Sequence, residues 1–348
     1  MTVFCDTVTH PCRLRLASVI LAGLLLAAPP VQSQGATATE TTVAGDELAS
    51  DGNEITEITV QGELPGPGLW TIRNGERRLY LLGTLSPLPK DLQWRSREVE
   101  RVLAEAQMLI PSRGDVSADI GPLKAVGLYF RYRSLRDNPG NASLDEVLDP
   151  ALFQQFETLR LKYAPRERSL RDRRPVLAAG ELWREAIERS GLSLHNEVNR
   201  RIEKLADKNG VPIVRPRLRI DDARGTLDEV AKIPLAAEID CMRATLNRLE
   251  SDLTQARQRA EAWSVGDIAA LRISAVAAQQ EACWSALLSS PKMAELRREF
   301  DEAWMSTAVL ALEGQQTTLA VVPIFEILKP NGILSQLRAR GYEVEEPI

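Results

Sequence analysis

Segments that favour β-structure stand at the two ends of the folded part of this chain, and almost everything between them favours helix. Residues 69–82, "LWTIRNGERRLYLL", join two apolar runs through Asn74-Gly75, a dipeptide typical of β-hairpins. Residues 317–328, "TTLAVVPIFEIL", form a strongly β-forming run. Between about residues 121 and 313, amphipathic segments alternate with short polar or proline breaks. The pattern predicts an α/β (α+β) fold, with a central β-sheet formed by strands from both chain ends and a large helical insertion in the middle.

Shorter segments add detail to this prediction. Residues 94–110, "WRSREVERVLAEAQMLI", predict a helix followed by a short strand that Pro111 ends. Residues 208–214, "KNGVPIV", predict the end of a helix and then a strand. A loop, a helix and a last strand are expected after residue 328.

The amino-terminal residues have the pattern of a secretory signal peptide. Arg13 and Arg15 precede an apolar run, 16–28, that is too short to span a bilayer. We expect cleavage after Ser33, which makes residues 1–33 a signal peptide. Residues 34–66 are rich in Ala, Thr, Gly and acids and predict a flexible leader or linker, followed by one domain over 67–348. The expected location is periplasmic or secreted, with no transmembrane segment after cleavage.

Export changes the number of cysteines that matter. Cys5 and Cys12 would leave with the signal peptide, so that Cys241 and Cys283 remain. Two thiols in an oxidising compartment predict one disulfide between two helices. The alternative is a pair of buried free thiols. The sequence contains no CxxC motif, so redox catalysis is not indicated.

Charge and aromatic content limit the class of partner. A formal net charge of −5 and an aromatic content of 5% argue against nucleic acid as the partner. One stretch is locally basic, because residues 160–174 hold seven Arg or Lys against two acids. It fits either an anionic partner, such as an acidic polysaccharide or a lipid headgroup, or a solvated face between helices.

Histidine is too rare for most catalytic sites that depend on it. The chain has His10 and His195 alone, and His10 precedes the apolar run of the signal peptide. This excludes most His-based zinc sites, Ser-His-Asp triads and Cys-His dyads. Ser86 is not in a GxSxG motif, so it is either a nucleophile of another kind or a loop hydroxyl that bonds backbone groups. Asp221 and Asp222 form the one local acidic cluster and predict the start of a helix.

Two sequence elements carry a resemblance to a known family. Residues 68–89, "GLWTIRNGERRLYLLGTLSPLP", and residues 319–346, "LAVVPIFEILKPNGILSQLRARGYEVEE", resemble the opening and closing elements of the TraB/GumN family. That family includes the Tiki-type metalloproteases, and the resemblance covers about residues 68–347. It implies a central sheet surrounded by helices. In Tiki-type members it implies a divalent metal held by the histidines of two GxxH motifs and by an acid after the second strand.

The positions that would hold this metal are altered in the chain. Gly83 and Thr84 match the first motif, but Ser86 stands where the family has histidine. In the second motif Pro323 replaces the glycine and Glu326 replaces the histidine, and the acidic position falls on Ser112. Serine is a poor metal ligand, and one Glu does not provide the three or more ligands that a catalytic ion needs. We therefore expect no metal and no other cofactor.

The sequence predicts an exported TraB/GumN-like pseudoenzyme that binds an envelope protein, a peptide or a polysaccharide. The expected binding groove contains Gly83, Thr84, Ser86 and Glu326. One alternative is a peptidase-like hydrolase, metal-dependent or metal-free, with a rebuilt site in which Ser86 and Glu326 meet in a pocket. Another is a structural or assembly protein that uses its long helices, which an exposed apolar patch on the helices of residues 240–313 would favour.

Overall fold

The computed structural model describes residues 66–347, apart from 113, 119, 196, 274–282 and 284–287. Within these residues no helix is both long enough and apolar enough to cross a membrane.

The predicted signal peptide, 1–33, and residues 34–65 of the predicted leader lie outside the described residues. Export, the periplasmic or secreted location and the domain boundaries therefore stay predictions.

The strands form one five-stranded sheet and two small two-stranded sheets. Their bounds are β1 Leu69–Asn74, β2 Arg77–Thr84, β3 Leu88–Pro89, β4 Met108–Ile110, β5 Asp115–Ala118, β6 Leu192–Ser193, β7 Arg217–Ile220, β8 Thr317–Pro323 and β9 Glu343–Glu345. The central sheet has the order β4-β8-β2-β1-β9, and β3-β6 and β5-β7 form the small sheets.

Helices make up most of the rest of the described chain. They are α1 Arg97–Glu105, α2 Pro122–Arg136, α3 Leu144–Val147, α4 Pro150–Tyr163, α5 Pro175–Arg189, α6 Glu197–Asn209, α7 Ala223–Ala231, α8 Leu235–Ser264, α9 Ile268–Ile273, α10 Pro291–Gly314, α11 Ile324–Leu328 and α12 Ile333–Ala339.

The central sheet confirms the prediction that strands from both chain ends share one sheet. β1 and β2 form the predicted hairpin, with Leu69 opposite Leu82 and Gly75 at a φ of 61° in the turn. β8 lies between β2 and β4 and is parallel to both. The carboxyl ends of these three strands, at Thr84, Ile110 and Pro323, therefore lie at one edge of the sheet.

Three predictions about short elements are wrong. The β-forming run of residues 317–328 ends as a strand at Pro323, and residues 324–328 are the helix α11. Proline lacks an N–H for further strand pairing and stands at the N-cap of this helix. The strand predicted within residues 208–214 is a single bridge between Leu109 and Ile213. The pairs β3-β6 and β5-β7 place strands where the sequence predicts loop or helix.

Two large apolar clusters fill the molecule. The first lies around the central sheet and takes in side chains such as Trp70, Leu81 and Leu319. The second lies in the helical middle, where α4, α5 and α8 pack around Phe156 and Leu182.

A disulfide joins Cys241, near the start of α8, to Cys283. This confirms the pairing predicted from the cysteine count and excludes the alternative of two free thiols.

Candidate functional site

The parallel pairing of the central sheet brings three sequence-predicted positions to one edge. Thr84 pairs with Pro323 at the ends of β2 and β8, so Ser86 and Glu326 follow shortly after the same edge. β4 ends at Ile110, which places Ser112 beyond that edge as well. Open α/β sheets bind ligands at the carboxyl ends of their strands. We refer to the segments after β2, β4 and β8 as the candidate edge.

Gly83 lies beneath the candidate edge, because α11 packs directly over it. A Cβ atom at this position would stand 2.8 Å from Cγ1 of Ile324 and 3.1 Å from Cδ1 of Ile327. The carbonyl oxygen of Gly83 accepts a hydrogen bond of 2.7 Å from Nε1 of Trp263, at the end of α8. Glycine therefore permits the close approach of helix and strand, and this residue is buried.

Thr84 is also structural. It is buried, and its Oγ1 donates a hydrogen bond of 3.2 Å to the carbonyl oxygen of Val322 on β8. Of the four residues predicted to form a binding groove, Gly83 and Thr84 thus support the edge from below, and Ser86 and Glu326 are the two with solvent-accessible side chains.

The two serines of the candidate edge differ in their surroundings. Ser86 is exposed, and its hydroxyl forms no hydrogen bond within the described residues. The Oγ of Ser112 accepts a hydrogen bond from Nδ2 of Asn199 on α6. Ser86 is therefore the hydroxyl that is open to a ligand, but in the described part of the chain no histidine or carboxylate bonds to it as the base of a nucleophile would.

Glu326 stands in a network of charges. Its side chain is 15% exposed, and its Oε1 accepts from Nη2 of Arg297 at 2.9 Å. Its Oε2 lies 3.0 Å from Nζ of Lys329, and Arg297 also pairs with Asp301 at 2.8 Å. Both carboxylate oxygens are thus engaged in ion pairs. To serve as a metal ligand or as a base, Glu326 would have to release at least one of them.

Sequence reasoning missed an aromatic and cationic stack that adjoins Gly83. The ring of Trp94 lies 5.6 Å from the ring of Trp263, and the guanidinium carbon of Arg201 lies 5.2 Å from the Trp94 ring. The Nη2 of Arg201 donates to Oγ of Ser96 at 2.6 Å. Trp94 is half-buried and presents an apolar face and a cation near the candidate edge. Trp94 stands at the start of the segment that predicts α1, and nothing local in the sequence indicates its contact with Trp263.

Other sequence-predicted residues lie elsewhere or have structural roles. His195 is exposed and precedes α6, and its backbone N–H donates to Oγ of Ser193 at 3.0 Å. Asp222 caps α7 by accepting from the N–H of Gly225 at 2.8 Å, which confirms the predicted helix start. In the described part of the chain no three His, Cys, Asp or Glu side chains are grouped as a metal site requires. The expected absence of a cofactor stays a prediction.

Most of the Arg and Lys side chains of the basic stretch 160–174 form ion pairs within the protein. Arg160 and Arg171 both bond to Glu157, the former at an i,i+3 spacing on α4. Arg174 reaches Glu238, which is fully buried on α8. With the pairs Lys162–Glu250 and Arg173–Asp137, five of the seven cations of this stretch have an acidic partner in the same chain, so most of the charge that suggested an anionic partner is neutralised.

Two cavities are open to solvent at other places on the surface. One of about 780 Å³ lies between the start of α10 and Glu229 of α7, and one of about 450 Å³ lies between α4 and α8. Neither is lined by Ser86 or Glu326. The hypothesis of a rebuilt catalytic pocket gains no support from them.

A comparison with known protein families covers the sheet strands from both chain ends. The family model described as the TraB/PrgY/gumN family matches residues 68–346. The chain belongs to the TraB/PrgY/gumN family. Neither the curated proteins nor the solved structures contain a match. In this TraB/PrgY/gumN protein the match includes the β1–β2 hairpin and the segment from β8 to β9, so the resemblance predicted from those elements is confirmed.

Proposed function

We propose that this protein is an exported, non-catalytic member of the TraB/PrgY/gumN family that binds a ligand at the candidate edge. The observation that carries the proposal is the state of Glu326, whose two carboxylate oxygens are paired with Arg297 and Lys329. The ligand would be a peptide segment, an envelope protein or a polysaccharide. Each of these carries hydrogen-bonding groups that suit the exposed Ser86 hydroxyl and the half-buried Trp94 face.

The chemistry of hydrolysis supports the non-catalytic reading. A serine nucleophile needs an adjacent base, and Ser86 has no hydrogen-bonded partner among the described residues. A catalytic ion needs at least three ligands and an open position. The residues that follow β2, β4 and β8 offer two hydroxyls, at Ser86 and Ser112, and the one paired carboxylate of Glu326.

A peptidase-like hydrolase is the second candidate, and one observation favours it. Ser86, Ser112 and Glu326 converge at a single sheet edge, as the ligands of the family resemblance would. A metal that displaced Lys329 from Glu326 would give this edge a reactive centre.

A metal and activity assay separates the two candidates. We would measure the metal content and peptidase activity of the purified protein with added Mn²⁺ or Co²⁺. Glu326→Ala is the test variant, and Glu302→Ala is its control, since Glu302 is an exposed carboxylate paired with Arg298. We expect no stoichiometric metal and no activity in any form. Metal at one equivalent, with activity lost in Glu326→Ala and kept in Glu302→Ala, would establish the hydrolase instead.

Binding at the candidate edge has a separate test. Ser86→Trp would fill the exposed position after β2 without disturbing a hydrogen bond of the described structure. We would compare it with the unaltered protein on peptide and polysaccharide arrays and expect loss of the retained ligands. Retention of every ligand by Ser86→Trp would move the binding site away from this edge.

Export is tested by the amino terminus of the protein recovered from the periplasm or the medium. Cleavage after Ser33 predicts that it begins at Gln34. A protein that retains Met1 would contradict the signal peptide.

A further inference from the structure

Helix α2 exposes large apolar side chains along one face. Leu123 is 90% exposed, Val126 54% and Phe130 62%, and Tyr129 beside them is 58% exposed. The spacing of Leu123, Val126 and Phe130 is i, i+3 and i+7, which places them on one stripe of a helix. We call these four residues the α2 outer face. Monomeric proteins seldom leave such a contiguous set uncovered without a function.

The opposite side of α2 accounts for the attachment of the helix to the rest of the molecule. Ala125 and Leu128 pack into a small apolar cluster with Val116 of β5 and Leu218 of β7. The helix is therefore apolar on two sides, and the structure covers one of them.

All charged residues of α2 are basic. Arg131 is paired with Asp228 at 2.6 Å, and Arg136 with Asp137 at 3.5 Å. Lys124 and Arg133 are exposed, and within the described residues neither forms an ion pair. At 3.6 residues per turn, Arg133 lies on the α2 outer face itself, one turn beyond Tyr129 and Phe130, whereas Lys124 lies on the far side of the helix.

We propose that the α2 outer face docks on an anionic lipid surface. A face of Leu, Val, Tyr and Phe that also carries Arg133, on a helix whose charges are all basic, is typical of helices that lie in the interface of a bilayer. Leu123 is almost fully exposed, so it stands out from the surface and does not line a groove. The apolar side chains would enter the acyl boundary while Arg133 meets a headgroup phosphate.

Charge argues against a second copy of the chain as the occupant. Pairing two α2 outer faces would cover the exposed Arg133 of each molecule with the same face of the other. That face offers no acid to compensate the two cations. An anionic lipid surface supplies the charge that this face lacks.

The test is binding of the full chain to vesicles, measured by cosedimentation. The vesicles contain phosphatidylcholine with phosphatidylglycerol, or phosphatidylcholine alone. L123S/F130S should weaken binding to the anionic vesicles at least about tenfold, because it removes most of the buried apolar area. The matched control is L161S/L310S, which removes two leucines that are 56% and 67% exposed on α4 and α10. It should change binding less than about twofold.

The cation of the face is tested in the same assay. R133Q should weaken binding to anionic vesicles about fivefold and leave binding to neutral vesicles unchanged. K124Q, on the far side of the helix, is its control and should change binding less than about twofold. G127L should strengthen binding about fivefold, since Gly127 lies beside the stripe and an added side chain would meet nothing within 4 Å. Because every form keeps the same amino-terminal segment, differences between variants report on α2.

Equal vesicle binding by L123S/F130S and L161S/L310S would overturn the proposal. Light scattering that shows a dimer lost in L123S/F130S, with vesicle binding unchanged, would overturn it in favour of a second copy. The proposal is independent of ligand binding at the candidate edge, which Ser86→Trp addresses.

Discussion

In the region of the central sheet, the main contacts are between apolar side chains and backbone, whereas the helical middle adds discrete polar and covalent links. The sheet packs Trp70, Leu81 and Leu319 into one cluster, and α11 lies against Gly83. The middle has its own cluster around Phe156, together with the Cys241–Cys283 disulfide. Close packing distributes stability over many contacts, and the links of the middle concentrate it in a few.

The links in the middle show how a run of like charges can be internal to a fold. Arg174 stands at the N-cap position of α5 and reaches the buried Glu238 on α8, with further hydrogen bonds to the carbonyls of Val230 and Ile233. A sequence with many cations in a short span suggests a surface for anions. Here the cations position neighbouring helices, because their acidic partners come from other parts of the chain.

Removing the disulfide is the strongest way to break the helical middle. Cys241 and Cys283 are 42 positions apart, and Cys241→Ser with Cys283→Ser should lower the free energy of unfolding by about 4 kcal/mol through loop entropy. Urea unfolding followed by circular dichroism measures this, and reductant should have the same effect on the unaltered protein. A loss below about 1 kcal/mol would show that packing holds the middle without the bond.

Breaking the buried ion pair should cost almost as much. Arg174→Met leaves the Glu238 carboxylate buried without its partner and should destabilise the protein by about 3–5 kcal/mol near neutral pH. Burial already raises the pKa of Glu238, and Arg174 opposes that rise. Stability therefore falls as pH rises from the unfolded pKa of about 4.3 through the folded pKa, and Arg174→Met should extend this fall to higher pH because it raises the folded pKa further.

Urea midpoints of Arg174→Met at several pH values measure the effect. Adding Glu238→Gln removes the charge and should restore part of the loss at neutral pH. If the double variant is as unstable as Arg174→Met at every pH, the uncompensated charge is not the cause.

Glycine substitutions sharpen the comparison between the two regions. Gly83→Ala places a Cβ 2.8 Å from Cγ1 of Ile324 and should destabilise by about 1–3 kcal/mol through overpacking. Gly180 of α5 is the control, since a Cβ there meets nothing within 4 Å. Gly180→Ala should stabilise by up to about 1 kcal/mol. Thermal unfolding measures both changes. Equal effects of Gly83→Ala and Gly180→Ala would contradict the difference in packing at the two glycines.

The smallest effect is expected at Glu157, on the surface of the middle. Hydrogen bonding from Arg160 lowers the pKa of Glu157 to about 2, and Arg171 adds to this. The unfolded pKa is about 4.3, so the stabilisation is present above that pH and is lost as pH falls through about 2. Glu157→Gln should cost on the order of 1–2 kcal/mol at pH 6 after solvent screening. Urea midpoints should converge near pH 2, and a constant difference would refute the linkage.

The sequence predicts the central sheet well because its signals are local. Asn74-Gly75 marks the turn, β1 alternates because Trp70 and Ile72 are buried on one face, and β2 reads as an apolar run because its second half is buried on both faces. The strand β7 is missed because Arg217 and Arg219 are exposed and the strand pairs on one side alone with β5. The helix α11 has five residues, too few to show a helical period against the β propensity of Ile and Phe.

At the candidate edge, the sequence predicts where Ser86 and Glu326 lie better than it predicts which side chains surround them. The resemblance places Ser86 and Glu326 after strands that prove to be parallel neighbours. Lys329 follows Glu326 by three residues, and this i,i+3 spacing makes their ion pair visible in the sequence. The pairing with Arg297 depends on how α10 packs, which no local pattern reveals.

The position of β8 has a consequence for the order of folding. β2 and β4 are not sheet neighbours, and residues 317–323 lie between them, so the central sheet depends on pairings 239 residues apart for β2–β8 and 210 residues apart for β4–β8. Contacts of such long range make folding slow, because closing the long loop between the strands costs chain entropy before the pairing can stabilise the sheet. During synthesis the helical middle emerges before β8, so it can assemble while the β1–β2 hairpin is still without its neighbour in the sheet. A chain stopped before β8 would expose two unpaired strand edges and be prone to aggregate.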